Sequence, residues 1–236
     1  MKTKFWIGSI CFILIFSLLN LGFNIYIFVT GNISTGDIFN NSMESVVEIK
    51  AETESVGTSY GTAIAINNDG TFVTNAHVIT YKQLGEYYEF EEISIRFIDE
   101  EDFRQVSVIK YDLDLDIAVL KINADVQVKA IKIGDDTKLQ FGDNVYALGN
   151  MSNYGLSITA GSVSMPHVNV SYNENVRNVI QCDLTISDGN SGGALLNKNA
   201  ELVGITTFRL KDQSNNIIYG IAYCIPINTI VEYINL

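Results

Sequence analysis

Histidine, proline and cysteine are scarce in this sequence of 236 residues, which has two histidines, two prolines and three cysteines. Two prolines are too few for a proline-rich recognition tract, and the sequence has no internal repeat or low-complexity segment. The histidines lie far apart, and Cys11 falls in an apolar N-terminal segment, which leaves Cys182 and Cys224. These residues do not form a zinc-binding pattern, so we predict no metal site and no cofactor.

Basic residues are also few, with 15 Lys and Arg against 27 Asp and Glu, a net charge of -12. Binding to nucleic acid depends on clustered Lys and Arg, so we exclude nucleic acid as a partner. The apolar fraction of 47% is ample for a sizeable hydrophobic core. Short runs of Val, Ile, Thr, Tyr and Phe, broken by Gly, Asn and Asp, favour an all-β domain.

The N-terminal segment from Phe5 to Val29 contains no charged residue over 25 positions. A helix needs about 20 apolar residues to cross a membrane, so residues 5–29 are predicted to be a transmembrane signal anchor. Lys2 and Lys4 precede it, which predicts a cytoplasmic N-terminus at 1–4 and an extracytoplasmic domain. A stalk would cover 30–41 and the folded domain 42–236. A cleaved signal peptide and a buried core helix are the alternatives.

His77 follows an apolar strand, an Asn-Asn-Asp-Gly turn and a second strand in the segment GTAIAINNDGTFVTNAHVI. This pattern predicts a hairpin whose second strand ends at Ala76-His77. A single histidine after a strand is usually structural or exposed, so His77 becomes a candidate only if it has suitable partners.

An aspartate precedes the short apolar run Ile117, Ala118, Val119, Leu120, which must be buried on at least one face. Asp116 is therefore carried to the edge of the core. Asp112 and Asp114 could share its face of an extended segment, and spacing alone does not choose among the three. Proximity to the buried strand favours Asp116, and the alternative is that all three are solvated turn residues.

The segment SDGNSGGAL, residues 187–195, flanks Ser191 with Gly189 on one side and with Gly192 and Gly193 on the other. A nucleophilic serine needs a curled backbone whose amides point at the developing oxyanion, and glycine tolerates such dihedrals. A glycine-rich surface turn would explain the glycines but not their occurrence with the other two segments.

The segments TNAHVI, DLDIAVLKI and GNSGGAL, in the order His, Asp, Ser, resemble the HtrA/Deg branch of the chymotrypsin-like serine proteases. Segments 131–150, 157–164 and 219–226 extend the resemblance over the domain from Ser42 onward. It implies two six-stranded antiparallel β-barrels with the active site between them, the first barrel supplying His77 and Asp116 and the second Ser191.

The resemblance also implies the role of each site residue. Ser191 would be the nucleophile, His77 the general base and Asp116 the residue that orients the base, with an oxyanion hole at Gly189, Asn190 and Ser191. By position, the residues that line the specificity pocket would be Thr185, Ile186, Ile205, Thr206, Thr207, Gly220 and Ile221. The absence of an acidic residue at the pocket base predicts a small or medium aliphatic side chain on the acyl side of the cut.

Many members of the family continue into a peptide-binding PDZ domain, but about ten residues follow Pro226 here. We therefore expect no regulation through a PDZ domain in this chain. The resemblance implies polypeptide substrates and assembly into a homo-oligomer, a trimer. His167 is expected to be exposed, and the acidic segment from Tyr81 to Arg104 to be a solvated loop and strand.

The leading hypothesis is an anchored protease that degrades misfolded or exposed extracytoplasmic polypeptides. The alternatives are a narrowly specific processing protease and a chaperone-like binding protein with an idle triad. Cys182 and Cys224 could form a disulfide, although buried free thiols are favoured.

Overall fold

The computed structural model describes residues 14–24, 33–122, 126–151, 154–172, 175–187, 189–211 and 217–235. The chain divides into two compact units, Met1–Ser34 and Thr35–Leu236. In the first unit, residues 14–24 form a helix, α1. Within the described ranges, no helix combines the length and apolar character needed to cross a membrane. Residues 5–13 and 25–29 of the predicted anchor lie outside the described residues.

The second unit is built mainly from β-strands. Its described helices are α2 (Thr35–Ser42), α3 (Ala76–Ile79) and α4 (Ile227–Asn235), with 3-10 turns η1 (Met43–Ser45) and η2 (Asp136–Lys138). Its described strands are β1 (Val46–Thr53), β2 (Gly57–Ala65), β3 (Thr71–Thr74), β4 (Thr80–Gln83), β5 (Glu86–Glu89), β6 (Glu92–Arg96), β7 (Arg104–Asp112), β8 (Ile117–Ile122), β9 (Asn144–Asn150), β10 (Leu156–Tyr172), β11 (Asn175–Asp183), β12 (Ala194–Asn197), β13 (Leu202–Lys211) and β14 (Ile217–Pro226).

The first barrel is a closed antiparallel sheet in the order β1-β2-β3-β8-β7-β6. Strand β1 closes it, because Ile49 pairs with Gly61 of β2 on one side and with Ile95 of β6 on the other. Apolar side chains such as Phe72 and Leu120 fill its interior and are fully buried. Strands β4 and β5 form a separate hairpin outside this sheet.

The second barrel is a closed antiparallel sheet in the order β10-β11-β14-β13-β12-β9. Its interior contains Val163, Leu195 and Val203, together with Cys182 and Cys224. Both cysteines are free and fully buried, which is the alternative that the sequence favours. The hydrogen bond that the Cys224 thiol forms with Cys182, together with burial, raises the pKa of Cys224 well above its ordinary value. The pair of six-stranded antiparallel barrels agrees with the fold that the resemblance implies.

A third apolar cluster lies between the barrels. It joins Ile64 and Ile117 of the first barrel to Leu148 and Leu196 of the second, and all four side chains are at most 1% exposed. Because these side chains form one cluster, the two barrels pack against each other through a continuous apolar interface. This interface fixes the end of β3 and the start of β8 beside the loop that precedes β12.

Helix α2 belongs to the same unit, although residues 35–41 fall in the predicted stalk. Ile38 is fully buried in the cluster between the barrels, and Phe39 packs against it. The compact unit therefore begins at Thr35, before the predicted domain start at Ser42.

We expect Ile38→Ala to lower the free energy of unfolding by about 2 to 5 kcal/mol, because it removes apolar contacts and leaves a cavity. Chemical unfolding of the full chain measures this difference. Ile109→Ala is the matched control, since Ile109 is 59% exposed and should cost far less. Equal effects of the two substitutions would show that α2 contributes nothing to the stability of the unit.

Candidate active site

His77 and Asp116 are in direct contact at the edge of the first barrel. Strand β3 ends at Thr74, and His77 lies on the short helix α3, so the prediction that the strand continues to His77 is wrong. The Nδ1 atom of His77 lies 2.9 Å from Oδ2 and 3.0 Å from Oδ1 of Asp116. The His77 backbone amide also donates to Oδ1, at 3.1 Å. Asp116 thus holds both the ring and the backbone of His77.

The carboxylate of Asp116 is 5% exposed and has a third donor, the Thr207 hydroxyl, 2.6 Å from Oδ2. Burial alone would raise the pKa of Asp116, but His77 and Thr207 outweigh burial and hold that pKa below its ordinary value. The ionised carboxylate can only accept hydrogen bonds, so His77 Nδ1 carries the proton and Nε2 is left as the basic atom. The histidine side chain is 47% exposed, so its ring remains accessible.

The structure distinguishes Asp116 from the two aspartates that precede it. Oδ1 of Asp112 accepts the backbone amides of Asp114 and Leu115, each at 2.8 Å, which makes Asp112 a turn residue. Asp114 is exposed. Of the three candidates, Asp116 is the one that contacts His77.

Ser191 lies in the loop before β12 and is clamped by the first barrel. The Thr62 amide donates to the Ser191 carbonyl at 2.9 Å, and the Thr62 hydroxyl donates to the Gly189 carbonyl at 2.8 Å. The loop needs glycine at 192, where φ is +82° and a Cβ would lie 2.1 Å from the Thr62 carbonyl oxygen. The glycine-rich pattern therefore reflects a close approach between the barrels.

The peptide groups of Asn190 form hydrogen bonds within the loop. Asn190 N donates to the Ser187 carbonyl at 3.1 Å, and the Asn190 carbonyl accepts from Gly193 N at 2.9 Å. Asn190 is thereby fixed inside the loop, with 3% of its surface exposed, while Gly189 has a φ of +94°. With the amide of Asn190 engaged, those of Gly189 and Ser191 are the candidates to bind an oxyanion.

The Ser191 hydroxyl donates to the Thr207 carbonyl at 3.2 Å. Thr207 therefore contacts both Ser191, through its backbone, and Asp116, through its side chain. The β13–β14 register moves from Thr206–Cys224 to Phe208–Tyr223, so Thr207 is the extra residue of a β-bulge. A bulge redirects a side chain relative to its neighbours, which explains how Thr207 reaches the site.

The residues predicted to line the specificity pocket occupy several environments. The Ile205 side chain is fully buried in the cluster between the barrels, and the Thr206 hydroxyl donates to the Asn190 carbonyl. With Thr207 on Asp116, these three side chains are engaged elsewhere. Ile186 is 7% exposed, Thr185 and Gly220 are exposed, and Ile221 is half-buried. The pocket as a whole stays a prediction.

The sequence did not single out Thr62 or Arg177, although both contact the site. Arg177 of β11 is 10% exposed, with Nη1 3.7 Å from Asp116 Oδ2 and Nη2 donating to the Leu113 carbonyl at 2.9 Å. Thr62 lies in the segment that carries His77, but no pattern marks it as a site residue there, and Arg177 lies outside the segments that carry the resemblance. His167, 38% exposed, contacts Asn178 and Asp136.

We expect Thr207→Val to lower the free energy of unfolding by about 1.5 to 3 kcal/mol at neutral pH, because it removes a hydrogen bond to a buried carboxylate. The hydroxyl lowers the pKa of Asp116 in the folded state, so its contribution is present above about pH 4 and is lost as pH falls through that folded pKa. The free energies of unfolding of parent and variant should therefore converge as the pH falls below about 4 and through the folded pKa of Asp116.

The control for this prediction is Thr80→Val. Thr80 is also buried, but its hydroxyl donates to the neutral carbonyl of Ala76 at 2.9 Å. Its cost should not change with pH over the same range. A pH-independent cost for Thr207→Val would contradict the assigned contact with ionised Asp116.

Comparison with known proteins places this geometry in a family. Residues 61–205 match the trypsin-like peptidase domain family. The chain is 38% identical over 169 residues to the periplasmic pH-dependent serine endoprotease DegQ of Escherichia coli K12, covering 71% of this chain and 35% of DegQ. It is 36% identical over 171 residues to the periplasmic serine endoprotease DegP of the same organism, covering 72% of this chain and 34% of DegP.

A solved structure of the HtrA-type protease AlgW with a tripeptide superposes with a TM-score of 0.74 and 25% identity, over 86% of this chain and 63% of AlgW. The chain spans about a third of the length of the curated relatives DegQ and DegP. The chain belongs to the trypsin-like peptidase domain family and resembles its HtrA/Deg members.

Proposed function

We propose that the chain is a serine endopeptidase that cuts polypeptides through an acyl-enzyme intermediate. The observation that carries the proposal is the contact of His77 Nδ1 with the buried carboxylate of Asp116, at 2.9 Å. This contact fixes the imidazole tautomer and leaves Nε2 as a base at an accessible edge. Family membership and the loop around Ser191 support the same assignment.

In this mechanism the Ser191 hydroxyl leaves the Thr207 carbonyl, rotates toward His77 Nε2 and attacks the scissile carbonyl. His77 accepts the hydroxyl proton and donates it to the leaving amine as the peptide C–N bond breaks, while Asp116 stabilises the imidazolium. A water molecule that gives its proton to His77 then hydrolyses the acyl-enzyme ester, which releases the acid product and restores Ser191. Catalytic hydrogen bonds often tighten only when substrate binds, so the bond of Ser191 to Thr207 is compatible with this step.

The amides of Gly189 and Ser191 would bind the oxyanion of the tetrahedral intermediate. The Thr62 hydroxyl donates to the Gly189 carbonyl, which holds the peptide groups of the loop in a fixed orientation. Donors that are fixed before the reaction need no reorganisation when charge develops, and one such donor contributes about 2.7 to 4 kcal/mol.

We propose that the substrates are misfolded or exposed extracytoplasmic polypeptides and that residues 5–29 anchor the chain in the membrane. The uncharged segment after Lys2 and Lys4 supports the anchor and its orientation. The names of DegQ and DegP describe periplasmic endoproteases, which supports the compartment. Assembly into a trimer stays a prediction.

A second candidate function is polypeptide binding with an idle triad. It is favoured by one observation, the donation of the Ser191 hydroxyl to the Thr207 carbonyl at 3.2 Å. A protein that kept this arrangement when bound to a polypeptide would hold the substrate without attacking it.

Incubation of the full chain with reduced casein should yield cleavage products, and Ser191→Ala should reduce turnover by at least about 10³-fold, because it removes the nucleophile of the proposed acyl-enzyme step. Mass spectrometry of the products identifies the cut sites. Ser94→Ala is the control, since Ser94 is a buried serine whose hydroxyl donates to the Lys50 carbonyl. Casein binding by the parent without turnover would support the second candidate instead.

The pocket assignment predicts cuts after small or medium aliphatic residues. Thr185→Asp should move the cuts toward Lys and Arg, since an exposed carboxylate in the pocket would attract a basic side chain. Asn199→Asp adds the same charge at an exposed turn and should leave the cut sites unchanged. An unaltered cut pattern for Thr185→Asp would remove Thr185 from the pocket.

A further inference from the structure

Asn75 occupies the N-cap position of helix α3, where an asparagine side chain ordinarily accepts a backbone amide of the first turn. Its side chain makes no such bond here. The His77 amide, which such a cap could satisfy, is bound instead by the carboxylate of Asp116, at 3.1 Å. Asn75 is fully buried, so its side-chain amide must find other partners.

The two ends of the Asn75 amide reach opposite halves of the candidate active site. Its Nδ2 donates to the backbone carbonyl of Asp116 at 2.9 Å, in the first barrel. Its Oδ1 accepts the backbone amide of Gly192 at 2.7 Å, in the nucleophile loop of the second barrel. These partners fix the orientation of the side-chain amide. If it were flipped, its NH2 group would face the Gly192 N–H, and its oxygen would face the Asp116 carbonyl, so neither hydrogen bond could form.

Both partners have backbone conformations that ordinary residues avoid. Asp116 has a φ of +59°, and Gly192 has a φ of +82°. Such conformations persist where surrounding contacts hold them. The orientation of the Asp116 peptide determines where its carboxylate points, and the orientation of the Gly192 peptide follows directly from the position of Ser191. The buried side chain of Asn75 therefore donates to the backbone of Asp116, which binds the base His77. It also accepts from the peptide group that follows the nucleophile Ser191.

We propose that Asn75 is a positioning residue that sets the distance and orientation between the base side and the nucleophile side of the catalytic centre through this single amide. The proposal rests on the function proposed above. Gly192 N also donates to the Thr206 carbonyl at 2.9 Å, so the loop keeps one bond when Asn75 is replaced. Replacement of Asn75 should therefore displace Asp116 more than it displaces the Gly192 loop, and the displacement of Asp116 should in turn move His77.

The test compares Asn75→Leu, which fills similar space without either hydrogen bond, with the parent full chain in detergent micelles. We expect kcat on a peptide that the parent cuts to fall about 10²-fold, because a misplacement of about 1 Å costs this much, with KM within about threefold. Asn68→Leu is the matched control, since the exposed Asn68 side chain accepts a backbone amide from Ala130 away from the site, at 2.8 Å.

Two NMR signals provide a readout that needs no turnover. In Asn75→Leu the proton on His77 Nδ1 should lose its low-field shift, and the Gly192 amide proton should move upfield, because each reports a hydrogen bond that Asn75 supports. In Asn75→Asp the carboxylate can still accept from Gly192 but cannot donate to Asp116. That variant should change the His77 signal and leave the Gly192 signal near its parent position.

The outcomes separate the two proposals. A parent that folds but never turns over contradicts the proposed function, and the NMR signals alone then decide the role of Asn75. A kcat of Asn75→Leu within about threefold of the parent, or unchanged signals for His77 and Gly192, would overturn the positioning role. If Asn75→Leu does not fold, Asn75→Ala, which adds no bulk, is subjected to the same measurements and the same criteria.

Discussion

The carboxylate of Asp116 is the group on which the arrangement of the site depends. It is charged and nearly inaccessible to water, and a buried charge is tolerated only when hydrogen bonds replace its hydration. Its donors are the ring and backbone of His77 from the first barrel and the hydroxyl of Thr207 from the second. The ionised state that orients His77 is therefore supported by contacts from both barrels.

The nucleophile loop of the second barrel depends in the same way on contacts from the first barrel. Ser191 belongs to the second barrel, yet its loop is held by Thr62 and Asn75 of the first. Each barrel thus supplies part of the support for the reactive group of its partner. The apolar cluster between the barrels, which includes Ile64 and Leu148, keeps water from competing for these hydrogen bonds. The site therefore needs both the apolar packing and the hydrogen bonds between the barrels.

Local patterns in the sequence were sufficient for much of this arrangement. The apolar run after Asp116 forms β8 from Ile117 to Ile122, and its burial explains why Asp116, unlike Asp112, faces His77. The sequence pattern predicts that the strand before His77 extends to that residue, which is too long. The strand ends at Thr74 because the chain turns into α3, whose His77 amide donates to Asp116, 39 residues away in sequence. Alternation of residue types cannot reveal a partner at that separation.

Thr207 shows why the remaining contacts could not be predicted. Its position in the chain predicts a residue of the specificity pocket, together with Ile205 and Thr206. The β-bulge makes Thr207 an unpaired residue, whose hydroxyl reaches Asp116 and whose carbonyl accepts from Ser191. A bulge at a residue other than glycine leaves no sequence signature, and it is chosen by the packing of β13 against β14 and the first barrel. The residue that touches both Ser191 and Asp116 is consequently defined by tertiary structure alone.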